Sequence, residues 1–139
     1  SNTQGDDSGR DGCRVPLPWT AEGPSFGFGA VEAHIPQPVW FGECAVDVQE
    51  GVHGSTRMMY QKALRLRREF QTDEKLEWVD TGHDAVVAFR RPNGWMVVTN
   101  FGTEPYGFVS DAVVMVSSPI FLYEGTVTLP GETTVWIKE

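Results

Sequence analysis

The feature that most constrains this chain is a change of texture part-way along it. Residues 1–54 hold nine of its 15 Gly and five of its nine Pro, a density that breaks both helices and strands. Trp19, Phe26, Phe28, Trp40 and Phe41 fall in the same stretch. Aromatics in such number need a surface to pack against, so the stretch is not a solvated linker. An irregular run this long is uncommon inside a compact domain, and is usually functional or part of something larger.

A helical period follows. Over residues 55–70, Met59, Ala63, Leu66 and Phe70 recur on one face, with Met58 or Tyr60 and Leu64 widening the stripe. Ser55 or Thr56 can cap the N-terminus. Arg65, Arg67 and Arg68 sit in the last turns, where cations suit the helix dipole and form a solvated face.

From residue 75 the period is that of short strands, read at 75–80, 85–91, 94–101, 107–109, 113–117, 126–129 and 133–138. Arg91-Pro92-Asn93-Gly94 joins two of them as a tight hairpin, Pro92 presetting the turn and Gly94 closing it. Six or seven short strands in about 65 residues argue for a small antiparallel sandwich. The expected domains are residues 1–72, irregular over 1–54 with a helix over 55–70, and an all-β domain over 73–139.

Charge narrows the function. The 19 Asp and Glu outnumber the 11 Lys and Arg, for a formal net charge of −8. Nucleic acid needs clustered cations and is excluded as a partner. Residues 73–139 hold ten of the acids against four bases, a net of −6. That charge suits solubility, and only weakly an acidic protein-interaction domain. No apolar run is long enough for a membrane span, and no signal peptide is legible. The expected compartment is the cytoplasm, with Cys13 and Cys44 as a pair of thiols rather than a bridge. The chain opens Ser1-Asn2-Thr3-Gln4-Gly5-Asp6-Asp7 with no initiator Met, a start expected of an excised piece.

Self-contained chemistry is not legible. His34, His53 and His83 are scattered with no second ligand at metal spacing, and the cysteines lack a C-x-x-C form. Asp6-Asp7 and Asp73-Glu74 are adjacent or terminal pairs, which suit solvent better than acid–base work. No phosphate loop and no nucleophile elbow are present. Neither a catalytic residue, nor a metal site, nor a cofactor is expected.

The informative run is Gly9-Arg10-Asp11-Gly12-Cys13-Arg14-Val15-Pro16-Leu17-Pro18-Trp19. Two prolines stiffen it, and Arg–Asp–Arg offers charge pairing and bidentate donors. By itself it reads equally well as a self-satisfied surface loop. Its pattern R-D-x-x-R-x-P-x-x-W, however, closely resembles the segment after the last barrel strand in α-glucosidases of glycoside hydrolase family 13, the oligo-1,6-glucosidase-like members of the α-amylase superfamily. Phe26-Gly27-Phe28, Ile35-Pro36-Gln37-Pro38-Val39-Trp40 and Val46-Asp47-Val48-Gln49 resemble the segments that follow in that family, in order. The helix is similar to the final barrel helix and residues 75–139 to the small Greek-key domain C. The wording R-D-G-C-R-V-P-L-P-W resembles actinobacterial members.

The resemblance implies a C-terminal piece of a (β/α)₈ enzyme with a retaining, two-carboxylate mechanism. It places the Asp nucleophile, the Glu acid/base and a second Asp on earlier barrel strands, outside these residues. The chain alone is then expected to be inactive, with the missing barrel as its partner and oligosaccharide as substrate of the full-length enzyme only. It also implies that Arg14 reaches the substrate pocket and that Arg10 and Asp11 shape the loop. The helix stripe would face the barrel. Without the barrel that stripe must pack on the β-domain, pair with another chain or aggregate, and self-association through it or through the 15–41 aromatics is expected. A competing expectation is a stand-alone carbohydrate-binding module using Trp78, Trp95, Trp136 and Tyr106 as a sugar platform. Trp95 and Trp136 lie in alternating apolar strands, so core filling is favoured for these aromatics.

Overall fold

The computed structural model describes residues 11–139, so Arg10, Asp6 and Asp7 lie outside the described residues. As the Gly and Pro density demands, the N-terminal stretch holds no strand and no α-helix among the described residues. It has only 3-10 turns at Asp11–Cys13, Pro24–Gly27 and Val39–Cys44. Helix α1 spans Thr56–Phe70. By internal contacts the chain divides into a unit up to Tyr60 and a unit from Gln61 onward, a division that falls within α1.

Ser55 is the cap. Its Oγ accepts the Met58 N–H at 3.3 Å and donates to the Gln49 carbonyl at 2.9 Å, while Gln49 Oε1 accepts the Arg57 N–H at 3.0 Å. Two otherwise orphaned helix donors are thereby satisfied. Arg57 also pairs with Glu50. At the other end Asn93 Nδ2 donates to the Phe70 carbonyl at 3.4 Å, so the predicted hairpin turn also caps the helix.

Eight strands follow: β1 (Glu77–Val79), β2 (Val86–Arg91), β3 (Trp95–Asn100), β4 (Tyr106–Val109), β5 (Val113–Val116), β6 (Phe121–Tyr123), β7 (Thr126–Leu129) and β8 (Thr133–Lys138). They form a five-stranded sheet in the order β1-β2-β3-β8-β5 and a three-stranded sheet in the order β4-β7-β6, antiparallel throughout. The predicted sandwich is present. Between its sheets, Val86, Ala88, Val98, Val135 and Ile137 of the large sheet meet Leu129 of the small one. Asn100 is fully buried at the edge of this core with every amide group used. Its Nδ2 donates to the carbonyls of Glu104, Leu129 and Pro130, and its Oδ1 accepts the Gly102 N–H.

One expectation needs correction and another is narrowed. Strand β6 was not legible, because Phe121, Leu122 and Tyr123 are all exposed and show no alternation. Pairing forms it instead: Glu124 and Gly125 both take positive φ, 46° and 76°, making a two-residue turn that folds β6 onto β7. Second, of the outcomes weighed for the apolar stripe of α1, the C-terminal end of the helix takes packing on the β-domain. Leu66 and Phe70 are buried within this chain, and Phe70 meets the Trp95 ring edge-on at 6.0 Å.

Candidate functional site

In the first unit the motif segments come together through main-chain and amide hydrogen bonds. The Trp19 N–H donates to the Phe26 carbonyl at 2.8 Å, and the Val46 and Asp47 N–H groups donate to the carbonyls of Pro18 and Trp19. Gln37 Nε2 ties the Pro16 carbonyl to that of Ser25, at 2.9 and 3.2 Å, and Asp47 Oδ2 accepts the Ala21 N–H. Segments up to 28 positions apart thus form one laced body. Its tightness is visible at Gly42, where a Cβ would stand 2.7 Å from the Ala21 carbonyl oxygen. Ser25 and Phe26 hold left-handed φ values of 49° and 47°, a conformation non-glycine residues adopt only when their surroundings enforce it.

Arg14 follows the first 3-10 turn and is exposed; its N–H donates to the Asp11 carbonyl at 3.0 Å. Asp11 thus meets Arg14 through its main chain. Trp19, Phe28 and Trp40 present their rings to solvent on the same unit. Both cysteines are exposed. His34, His53 and His83 are also exposed, and His83 packs edge-on against Tyr106 at 6.0 Å. Among the described residues no group of three or more His, Cys, Asp and Glu is placed to hold a metal ion, and no helix is long and apolar enough to cross a membrane.

In the second unit the face of the large sheet turned away from the sandwich core is also apolar. One cross-strand row runs Trp78, Phe89, Val97, Trp136 and Met115 through all five strands. The next row brings Arg91 beside Trp95 and Trp95 beside Lys138. The end of α1 covers part of this face through Phe70, which lies against Trp95 and beneath the Lys138 ammonium. Trp95 in turn meets Trp136 at 5.1 Å.

A cleft of about 510 Å³ remains beside the covered part, floored by Phe89, Val97, Trp95 and Trp136 and rimmed by Arg67, Gln71, Glu74, Leu76 and Arg91. The Arg91 guanidinium holds the post-helix segment by donating to the carbonyls of Asp73 and Glu74, at 3.0 and 3.4 Å. Its Nε and the indole Nε1 of Trp95 are buried with no acceptor among the described residues. Sequence reasoning did not find this cleft, because it joins a helix end to three strands and carries no local motif.

The four aromatics weighed as a sugar platform separate. Trp95 is buried, Trp136 and Tyr106 are half-buried, and the Tyr106 hydroxyl donates to the Thr81 carbonyl at 3.1 Å. Trp78 departs from the core expectation and is 69% exposed. It lies on a three-residue edge strand at the margin of the sheet, with its ring edge-on to Phe89 at 5.9 Å.

No protein-family model and no curated protein matches the chain. Several solved structures do. A mutant of the trehalulose synthase MutB in complex with Tris aligns with a TM-score of 0.74 at 22% identity, over 94% of this chain and 26% of that one. The trehalose-6-phosphate hydrolase of Bacillus licheniformis aligns at 0.73 and 22%, over 92% and 26%. The α-glucosyl transfer enzyme XgtA aligns at 0.70 and 25%, again over 92% and 26%. This chain therefore spans about a quarter of the length of the structures it matches. These neighbours are enzymes of the α-amylase family, glycoside hydrolase family 13. The mainly β, antiparallel fold with one helix matches a C-terminal β-domain of such enzymes.

Proposed function

We propose that this chain is the C-terminal part of an α-glucosidase of glycoside hydrolase family 13, acting in its full-length form on short α-glucosides by a retaining mechanism. The reading rests on one observation: an alignment covering 94% of this chain falls on 26% of a trehalulose synthase. The order of the motif segments and their lacing into one unit support it. In this reading residues 73–139 stabilise the parent enzyme, and the missing barrel covers the exposed aromatics of the first unit. The 139-residue chain then cleaves no glycoside by itself. The reading frame upstream of Ser1 tests this directly; a barrel-coding stretch is expected, and a start codon at this point would refute it. Assays of the isolated chain on sucrose, isomaltose and trehalose should show no turnover above buffer.

Arg14 is proposed to contact substrate in the full-length enzyme, where its planar fork suits sugar hydroxyls or an acidic pocket group. Arg14→Ala there should lower kcat/KM about 100-fold, ~2.7 kcal/mol of transition-state binding, with little change in melting temperature. Activity within a factor of about two of the wild type would remove Arg14 from the site.

A second reading, a carbohydrate-binding module, is favoured by the exposure of Trp78 beside Phe89. Calorimetric titration with maltose or isomaltose separates the two. Millimolar binding lost in Trp78→Ala supports the module, and no heat supports a purely stabilising β-domain.

A further inference from the structure

We propose that Asn93 is a site of spontaneous covalent modification, deamidating in the folded protein, and that the reaction releases the end of α1 from the sheet. It needs no reagent but water. The main-chain nitrogen of Gly94, having given up its proton, attacks Asn93 Cγ and closes a five-membered imide. The Cγ–Nδ2 bond breaks, and Nδ2 leaves as ammonia with the proton that Gly94 lost. Water then opens the ring. Cleavage at Cγ gives aspartate. Cleavage at the main-chain carbonyl gives isoaspartate, in which the chain runs on through the side chain.

Two observations carry the reaction. The first is that the turn demands the labile pair. Asn93 holds φ at 68° and Gly94 at 64°, left-handed values that favour Asn and Gly. A Cβ on residue 94 would also stand 2.7 Å from the main-chain oxygen of Glu139. The glycine that leaves its own nitrogen unshielded is therefore fixed by the packing that closes the hairpin.

The second is access. Asn93 and Gly94 are both exposed, and the Gly94 N–H has no main-chain acceptor among the described residues. The cleft they line also holds Lys75, Arg90 and Arg91 against Glu77, and cations favour the amide anion that makes the attack. The other two Asn of the chain are poorly placed. Asn2 precedes Thr3 and Asn100 precedes Phe101, whose side chains crowd the attacking nitrogen. Asn100 is also fully buried, with both ends of its amide engaged.

The consequence follows from one atom. Nδ2, which departs as ammonia, is the atom that donates to the Phe70 carbonyl at the end of α1. Its replacement is a carboxylate oxygen, which accepts and cannot donate, set at the negative end of the helix dipole. Isoaspartate also adds a methylene to the main chain of a turn whose flanking residues, Arg91 and Trp95, are paired. The tie between hairpin and helix is thus cut in one irreversible step.

The test ages the whole 139-residue chain at body temperature in neutral and in alkaline buffer, followed by intact mass and peptide mapping. A gain of about 1 Da at Asn93 is expected, faster in the alkaline buffer, with isoaspartate as the larger product and Asn2 and Asn100 unchanged. Asn93→Gly, which suits the turn and carries no amide, should abolish the gain. Hydrogen exchange reads the consequence. Main-chain amides of residues 68–71 should exchange several-fold faster in the aged chain than in the fresh one, and Asn93→Asp should move them the same way. No gain at Asn93 in the folded chain, over a period in which the urea-unfolded chain is converted, overturns the proposal. So does a gain that falls first on another residue. Unchanged exchange in a chain shown to carry the modification overturns the release of the helix.

Discussion

Asn100 holds four main-chain groups, two from the β3–β4 connection and two from the end of β7 and its turn, with one side-chain amide. Removing it strips three carbonyls and an N–H of this partner around a side chain that is itself fully buried. Asn100→Ala should therefore cost about 3 kcal/mol in urea unfolding, and a loss below roughly 1 kcal/mol would show that water replaces the amide. Nothing local announces this role. The run Trp95-Met96-Val97-Val98-Thr99-Asn100 predicts a strand by its apolar content. The partners of Asn100, however, lie up to thirty residues ahead, where pairing and not propensity brings them. Gly131 belongs to the same corner: a Cβ there would collide with the Gly102 carbonyl and the Thr103 backbone. Legibility at this scale was uneven. Arg14 was singled out from its motif, whereas the indole of Trp95 was weighed as core or as a sugar platform and its place beside Phe70 was not legible.

At the scale of elements the periods were reliable and the surfaces they serve were not. Helix α1 begins one residue after its Ser55 cap and ends at Phe70, close to the stretch its stripe predicts. Yet a stripe says which face is buried, never against what. Phe70 is buried beside Trp95, so Phe70→Ala should destabilise the chain by about 3–5 kcal/mol, while Tyr60→Ala on the exposed face should stay within about 0.5 kcal/mol. Comparable losses at the two positions would mean that Phe70 is not anchored as described. Strand β6 shows the opposite failure, an element with no period at all, made by its turn. Glu124 holds φ at 46° there, a value that suits Asn or Gly better. Glu124→Asn should raise stability by roughly 0.5 kcal/mol, measured as a higher denaturation midpoint.

For the whole molecule, the sequence carried the division into an irregular half and a β-rich half, because Gly and Pro density and strand alternation are visible residue by residue. The lacing of the irregular half was not visible, since Gln37 and Asp47 act on segments far from their own. That half still presents Trp19, Phe28 and Trp40 to solvent. Rings exposed together on one unit are a liability in an isolated chain. Light scattering over a range of concentrations should show mass rising above the monomer, and Trp40→Ser should reduce it. A monomer at every concentration would mean these rings are tolerated singly.

Strand β8 lies between β3 and β5, one place in from the edge of the large sheet, although it comes last of these strands in chain order. During synthesis every other strand of that sheet is therefore made before the one that joins them. Until residues 133–138 emerge, β3 and β5 offer raw edges to any passing strand, and joining β5 to the rest of the sheet waits on the distant pairing of β3 with β8. A chaperone that holds nascent β-structure open should matter more to the yield of this polypeptide than to its stability once made.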